Sequence, residues 1–230
     1  MAFTDPLQTL GLCIAVLIFG LPVAAIAIFF EKVFVPNVVL GTKEIDIGPG
    51  GTKTITFDLM TGSEDAVFAG AYISIISSLL IAGGIVLVRH ISKHSVWGWV
   101  AFGSASANVL GQIACVAAAF IFHGRYPEAT STEQVRFEGG SYNTGGTLFT
   151  RESWACTMKN LYSDREGVWA SKACTNLATG RYMTIALVVC SGLLSIISYW
   201  QIRQSGGLAW LFARRGDTNA PKGEFTDLEK

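Results

Sequence analysis

The sequence predicts an all-α membrane protein: a four-transmembrane-helix bundle carrying a small extracellular β-hairpin or sheet and a disulfide-tied outer loop. Three observations point there. Charged residues make up 15% of the 230 positions, with a formal net charge of +0, where soluble domains carry roughly 25%. Those charges fall in blocks, and between the blocks lie four runs with no Asp, Glu, Lys or Arg, at about 7–30, 66–88, 95–122 and 182–202. Of the five cysteines, only Cys156 and Cys174 fall outside these runs.

Each run exceeds the ~18 apolar residues that signal a span, since about 20 residues at 1.5 Å rise cross a hydrocarbon core of ~30 Å. None shows the continuous polar face of a soluble core helix. The first is preceded by "MAFTDPLQ", which has no basic residue, and it is too long for a signal h-region, so it reads as a span rather than a leader. Pro22 with Gly20 favours a bend there, because proline removes a backbone donor. The outer loop 31–65 follows. Its "TKEIDIGPGGTKTITFDL" alternates apolar and polar residues on both sides of Gly-Pro-Gly-Gly, a hairpin signature. A lone hairpin is marginal in water, so "EQVRFEGG" at 133–140 is the expected third strand, and "SYNTGGT" after it the expected flexible turn.

The second span offers Ser74, Ser78 and Ala82 at four-residue spacing, and the fourth offers Ser191, Ser195 and Ser198. Between spans two and three, "RHISKHS" carries Arg89 and Lys93 with no acid, and Arg203, Arg214 and Arg215 follow span four. Basic residues in short flanking segments mark the cytosolic side, which puts both termini inside.

The third span carries the most information. Gly103, Ala107, Gly111, Cys115 and Ala119 recur every four residues as a small-residue stripe, beside Ser104, Asn108 and Gln112 at the same spacing. Small residues permit the close approach that holds membrane helices together, and a carboxamide facing lipid must find a partner. Two readings of the polar trio stand: interhelical hydrogen bonding, or a polar path for an ion or small molecule.

In the outer loop 123–181, Thr150 is the expected cap of a helix through "RESWACTMKNL". Asp164 is the expected cap of a second, running into the fourth span without a break. Cys156 and Cys174 face an oxidising space in this orientation, where disulfides persist, and the simplest pairing joins them. Trp154, two residues from that bridge, is expected to pack over it. No acid or base lies inside any run, as membrane catalysts and proton relays require. There is no C-x-x-C motif, phosphate loop or nucleic-acid patch, and His90 with His94 lacks a third nearby ligand. No catalytic, cofactor-binding or metal-ligating residues are assigned, and no cofactor is expected.

The four-helix domain is thus 1–204, with a cytosolic tail at 205–230. In "GGLAWLFARRG" the tail offers Trp210 and Phe212 followed by Arg214 and Arg215, which suits a membrane-interface segment. The polar end beyond it has too little apolar surface to order itself.

Four spans, cytosolic termini, a short inner turn and two outer loops resemble the tetraspan proteins, among them tetraspanins, claudins and MARVEL proteins. More narrowly, "FTRESWACTMKN … ACTNLATGRY" within 149–182 resembles a pattern of fungal four-span integral membrane proteins. The chain departs from tetraspanins in having no adjoining cysteines, and from claudins in having neither Trp nor a Cys pair in the first loop. MARVEL proteins have shorter outer loops. The resemblance implies architecture and a disulfide-bearing outer loop, with no specific activity. The function expected is that of a non-enzymatic organiser or adaptor in the plasma membrane. Its partners would be the lipid bilayer and other membrane proteins, with no nucleic acid. The alternative is a transport or channel component using the polar track of span three.

Overall fold

A computed structural model describes residues 6–32, 42–46, 52–56, 59–91, 94–138 and 141–212, with backbone alone at 42–46 and 52–56. Four helices among them are long and apolar enough to cross a bilayer: α1 (Pro6–Lys32), α2 (Gly62–Val86), α3 (Ser95–Arg125) and α5 (Ser163–Gln204). A π-helical turn, Leu87–Ile91, prolongs α2. Helix α1 packs on α2 and α5, and α3 packs on the same two, which closes a ring of four.

Buried positions explain the ring. In α5 they are Glu166, Ala170, Ala173, Leu177, Gly180, Thr184, Leu187, Ser191, Leu194, Ser198 and Gln201, with Arg181 and Ile202 beside them. The steps alternate four, three, four, three, a period of about 3.5 that keeps one seam against its neighbours in a left-handed bundle. Helix α3 follows the same alternation through Gly98, Ala101, Ala105, Asn108, Gln112, Cys115 and Ala119. Most of these seam residues are small or polar, so backbones come close. A Cβ on Gly20 of α1 would stand 1.7 Å from Ser78 Oγ of α2, while Ser74 Oγ donates to Gly20 O at 3.1 Å. The large apolar side chains point outward instead, for example Ile18, Ile76, Leu110 and Ile196, as a lipid-facing surface requires.

One end of the bundle bears a folded cap. Thr150 starts α4 (Arg151–Leu161) with a reciprocal cap: its hydroxyl accepts from Ser153 N, and Ser153 Oγ accepts from Thr150 N. Asp164 makes no such cap. Helix α5 begins at Ser163 directly after Tyr162, with no side-chain cap bond, because the chain reverses within the one residue separating α4 from α5. From there α5 runs 42 residues without interruption, as the sequence predicts.

The strands depart from expectation. β1 (Thr42–Asp46) and β2 (Thr52–Thr56) form the hairpin, Thr42 opposite Thr56; the Gly-Pro-Gly-Gly turn and Phe57 lie outside the described residues, as do the side chains of Ile45 and Ile55. The predicted third strand does not join them. β4 (Arg136–Glu138) pairs instead with β5 (Ser141–Asn143), the segment expected to be a turn. Closing a hairpin locally costs far less chain entropy than reaching a strand some 80 residues away. The turn falls later, at Gly145 (φ 58°) and Gly146 (φ 87°), where Asn143 Oδ1 accepts from Gly145 N at 2.9 Å. A third, parallel pair joins the two loops: β3 (Leu59–Met60) with β6 (Phe149–Thr150).

Inside the cap, Val135, Phe149, Trp154, Met158 and Ala170 form a core, with Tyr142, Tyr162 and Trp169 packed against it. Trp154 is 1% exposed and meets Tyr142 edge-on at 5.7 Å. Cys156 and Cys174 are bonded, α4 to α5. Trp154 therefore packs in the cap rather than at a bilayer surface.

Candidate functional site at the cap end of the bundle

The charges that flank the apolar runs meet where cap and bundle join. Glu31 ends α1, Glu64 begins α2, His123 lies in the last turn of α3, Arg151 and Glu152 open α4, and Arg181 lies midway along α5. Their placement follows from the elements. The β3–β6 pair holds the start of α4 beside the start of α2, and Arg151 forms an ion pair with Glu64 across that seam. One residue on, Glu152 accepts a bidentate contact from Arg181, with Nε to Oε2 at 2.9 Å and Nη2 to Oε1 at 2.9 Å. His123 Nδ1 stands 3.7 Å from Glu152 Oε2. The Arg181 guanidinium also lies over Phe120 at 4.8 Å and Tyr182 at 4.7 Å.

Glu31, Glu64, Glu152 and Arg181 are all buried, between 4% and 6% exposed. Glu31 packs on Gly180, where a Cβ would come within 2.5 Å of its Oε1. Glu31 Oε2, Glu64 Oε1 and Arg151 Nε have no hydrogen-bond partner among the described residues. Three carboxyls thus share two guanidiniums and one imidazole, and Glu31 is the carboxyl that no guanidinium among the described residues holds by a hydrogen bond. The cluster draws on all four long helices and α4, and it clamps them in one register. It contains no cysteine, serine or threonine nucleophile, and no group of three or more His, Cys, Asp or Glu able to hold a metal is found among the described residues.

Higher in the cap, Tyr142 Oη donates to Glu166 Oε1 at 2.9 Å, and Trp169 Nε1 donates to the other oxygen. Burial, and after it the bond to Glu166, hold the Tyr142 phenol above its ordinary range.

The stripe and track predicted on α3 are divided by the structure. Cys115 and Ala119 are buried, and Gly111 abuts Ile73 of α2, but Ala107 is exposed and a Cβ on Gly103 would meet nothing within 4 Å. A step of four residues turns about 400°, so a strict four-residue repeat drifts about 40° per step and leaves the seam. Ser104 is half-buried, whereas Asn108 and Gln112 are 0% exposed. Gln112 Nε2 donates to Gly70 O of α2 at 2.7 Å and to Asn108 Oδ1 at 3.1 Å. Ser195 of α5 donates to Ala105 O at 3.3 Å.

At the far end, Arg89 of the π turn donates to Gln201 Oε1 and Gln204 Oε1, both at 2.8 Å. Gly206 (φ 122°) and Gly207 (φ 75°) reverse the chain after α5, and α6 (Gly207–Phe212) folds back onto α3. Trp99 Nε1 donates to Leu211 O at 2.9 Å, Phe212 meets Trp99 edge-on at 5.0 Å, and Trp210 occupies the space beside Gly98. Arg214 and Arg215 lie outside the described residues.

Sequence reasoning missed the charged cluster. The signal was present: Glu31, Glu64, His123 and Arg181 each stand within two residues of an apolar run, all at the same end. The helices continue past the charge-free runs and bury these charges. No protein family, curated protein or solved structure matches the chain.

Proposed function

We propose that this chain is a multi-pass, four-span protein of the plasma membrane or a related secretory-pathway membrane, with both termini cytosolic. It is non-enzymatic and organises other membrane proteins through its outer cap, in the manner of the tetraspan proteins it resembles. The observation that supports this best is the mounting of the cap. Helix α5 carries one seam from Glu166 in the cap to Gln201 at the opposite end, and the ion-paired cluster and the disulfide fix α4 to it. A surface held that rigidly loses little entropy on meeting a partner, which favours recognition.

A transport role would draw on Asn108 and Gln112. Their bonds to each other and to Gly70 O are those of interhelical glue, and they favour the organiser reading. Purified protein reconstituted into vesicles separates the two. The organiser reading expects solute and ion flux equal to that of empty vesicles, together with discrete crosslinked complexes when a photoreactive residue replaces exposed Val168 of the cap in native membrane. Flux that disappears in Gln112→Leu, with its fold retained, would overturn it in favour of transport.

A further inference from the structure

A second feature of the cap is independent of the charged cluster. Where α3 ends, a cavity of about 530 Å³ opens between the chain leaving that helix and the loop before β6. Its walls include Arg125, Tyr126, Pro127, Glu128, Leu148 and Phe149. Arg125 is exposed and takes part in no hydrogen bond or ion pair among the described residues. Glu128 is half-buried, with Oε2 accepting from Asn160 Nδ2 at 3.0 Å, and its other oxygen remains for a ligand. Tyr126 stacks with Phe122, ring centroids 6.4 Å apart, so the aromatic wall is fixed.

The height of this cavity decides what can occupy it. Arg125 is the last residue of α3, which places the mouth at the headgroup layer if α3 spans the bilayer, and aromatic and basic residues collect at that layer. We infer that the cavity holds the headgroup of a zwitterionic phospholipid, phosphate toward Arg125 and ammonium toward Glu128 and Tyr126. The volume lies within the ~300–1,000 Å³ of small-molecule sites. A guanidinium matches phosphate oxygens geometrically, and an aromatic face beside a carboxylate suits a quaternary ammonium. One cation and one anion on the same rim match a zwitterion, whereas a purely anionic headgroup would meet the Glu128 charge unpaired.

This inference rests on the four-span reading, which resistance to alkaline carbonate extraction tests separately. The lipid site is tested with the purified full chain in nanodiscs of mixed phosphatidylcholine and phosphatidylglycerol, followed by native mass spectrometry of retained lipid. Wild type is expected to retain phosphatidylcholine about tenfold above Arg125→Gln, and Glu128→Gln is expected to shift the preference toward phosphatidylglycerol. Thr147→Trp, which fills the cavity from its exposed loop, is expected to abolish retention and decides the matter if Arg125→Gln fails to fold. Inorganic phosphate at millimolar concentration should not displace the lipid; displacement would mean a free-phosphate site and overturn the lipid assignment. Equal retention by wild type and Thr147→Trp, or by wild type and a folded Arg125→Gln, would overturn it as well.

Discussion

Among single residues, Arg181 and Glu31 show how differently two buried charges behave. Arg181 closes a bidentate pair with Glu152, both about nine-tenths buried or more. Removing one partner of such a pair leaves the other charge in a dry site, which costs about 3–5 kcal/mol. Arg181→Met keeps the apolar stem of the side chain and removes the guanidinium, with its bonds to Glu152 and its place over Phe120 and Tyr182. It is expected to lower the thermal midpoint in detergent by many degrees. Glu31 is the opposite case, because among the described residues no guanidinium is hydrogen-bonded to it and it packs against Gly180. Glu31→Gln preserves shape and removes a carboxyl that burial disfavours in its charged form. It is expected to leave stability unchanged or raise it. A large loss on Glu31→Gln, measured beside Arg181→Met, would show that Glu31 acts as a charge the cluster needs.

At the scale of an element, the helices were legible in the sequence and their facing was only half so. Runs without charge reveal where a chain can span, since desolvating a charge is costly wherever it lies in the run. Facing depends on a phase, and the four-residue stripe on α3 carries the wrong one over its length. It agrees with the seam at Cys115 and Ala119 and has rotated out of it by Ala107 and Gly103. The alternating four-three pattern in α5 was equally present in the sequence, but only Leu177, Leu187 and Leu194 mark it with large apolar side chains, between Ala, Gly, Ser and Thr, so hydropathy does not single it out. The strands were less legible, because β4 had two possible partners and hydrophobic alternation does not rank a near one above a far one. Two glycines separate seam from surface. Gly20→Ala must push Ser78 aside at the α1–α2 contact and is expected to cost about 1–3 kcal/mol, as overpacking does. Gly103→Ala meets open space and is expected to leave the melting temperature unchanged. Equal melting temperatures for the two variants would refute the α1–α2 seam as described.

For the whole molecule, the question is how cap and bundle are joined, and the structure gives three connections of different kinds. The seam of α5 is continuous, the charged cluster is local to the junction, and the Cys156–Cys174 bond ties α4 to α5 one layer higher. The sequence announced the first and third, through an unbroken helical stretch and the two cysteines outside the runs. It showed the second only as charges bordering the runs at one end, because nothing local pairs Arg181 with Glu152, 29 residues away. These connections make separable demands on stability. A disulfide closing a loop of about 18 residues contributes roughly 3 kcal/mol, mostly by restricting the unfolded chain. In a molecule that opens in parts, that contribution belongs to the part inside the loop. The second half of α4, from Cys156, and the start of α5, as far as Cys174, lie inside it, whereas α1, α2 and α3 lie outside. Cys156→Ser with Cys174→Ser is therefore expected to speed amide exchange in the second half of α4 by about a hundredfold, since 1.4 kcal/mol is tenfold. Exchange in α3 around Asn108 and Gln112 is expected to stay unchanged, because their bonds to Gly70 and to each other are untouched. The comparison is made by hydrogen exchange with mass spectrometry on both proteins in the same detergent. A parallel acceleration in α3 and α4 would mean that cap and bundle open as one unit, and the cap would then have no independent stability for the disulfide to supply.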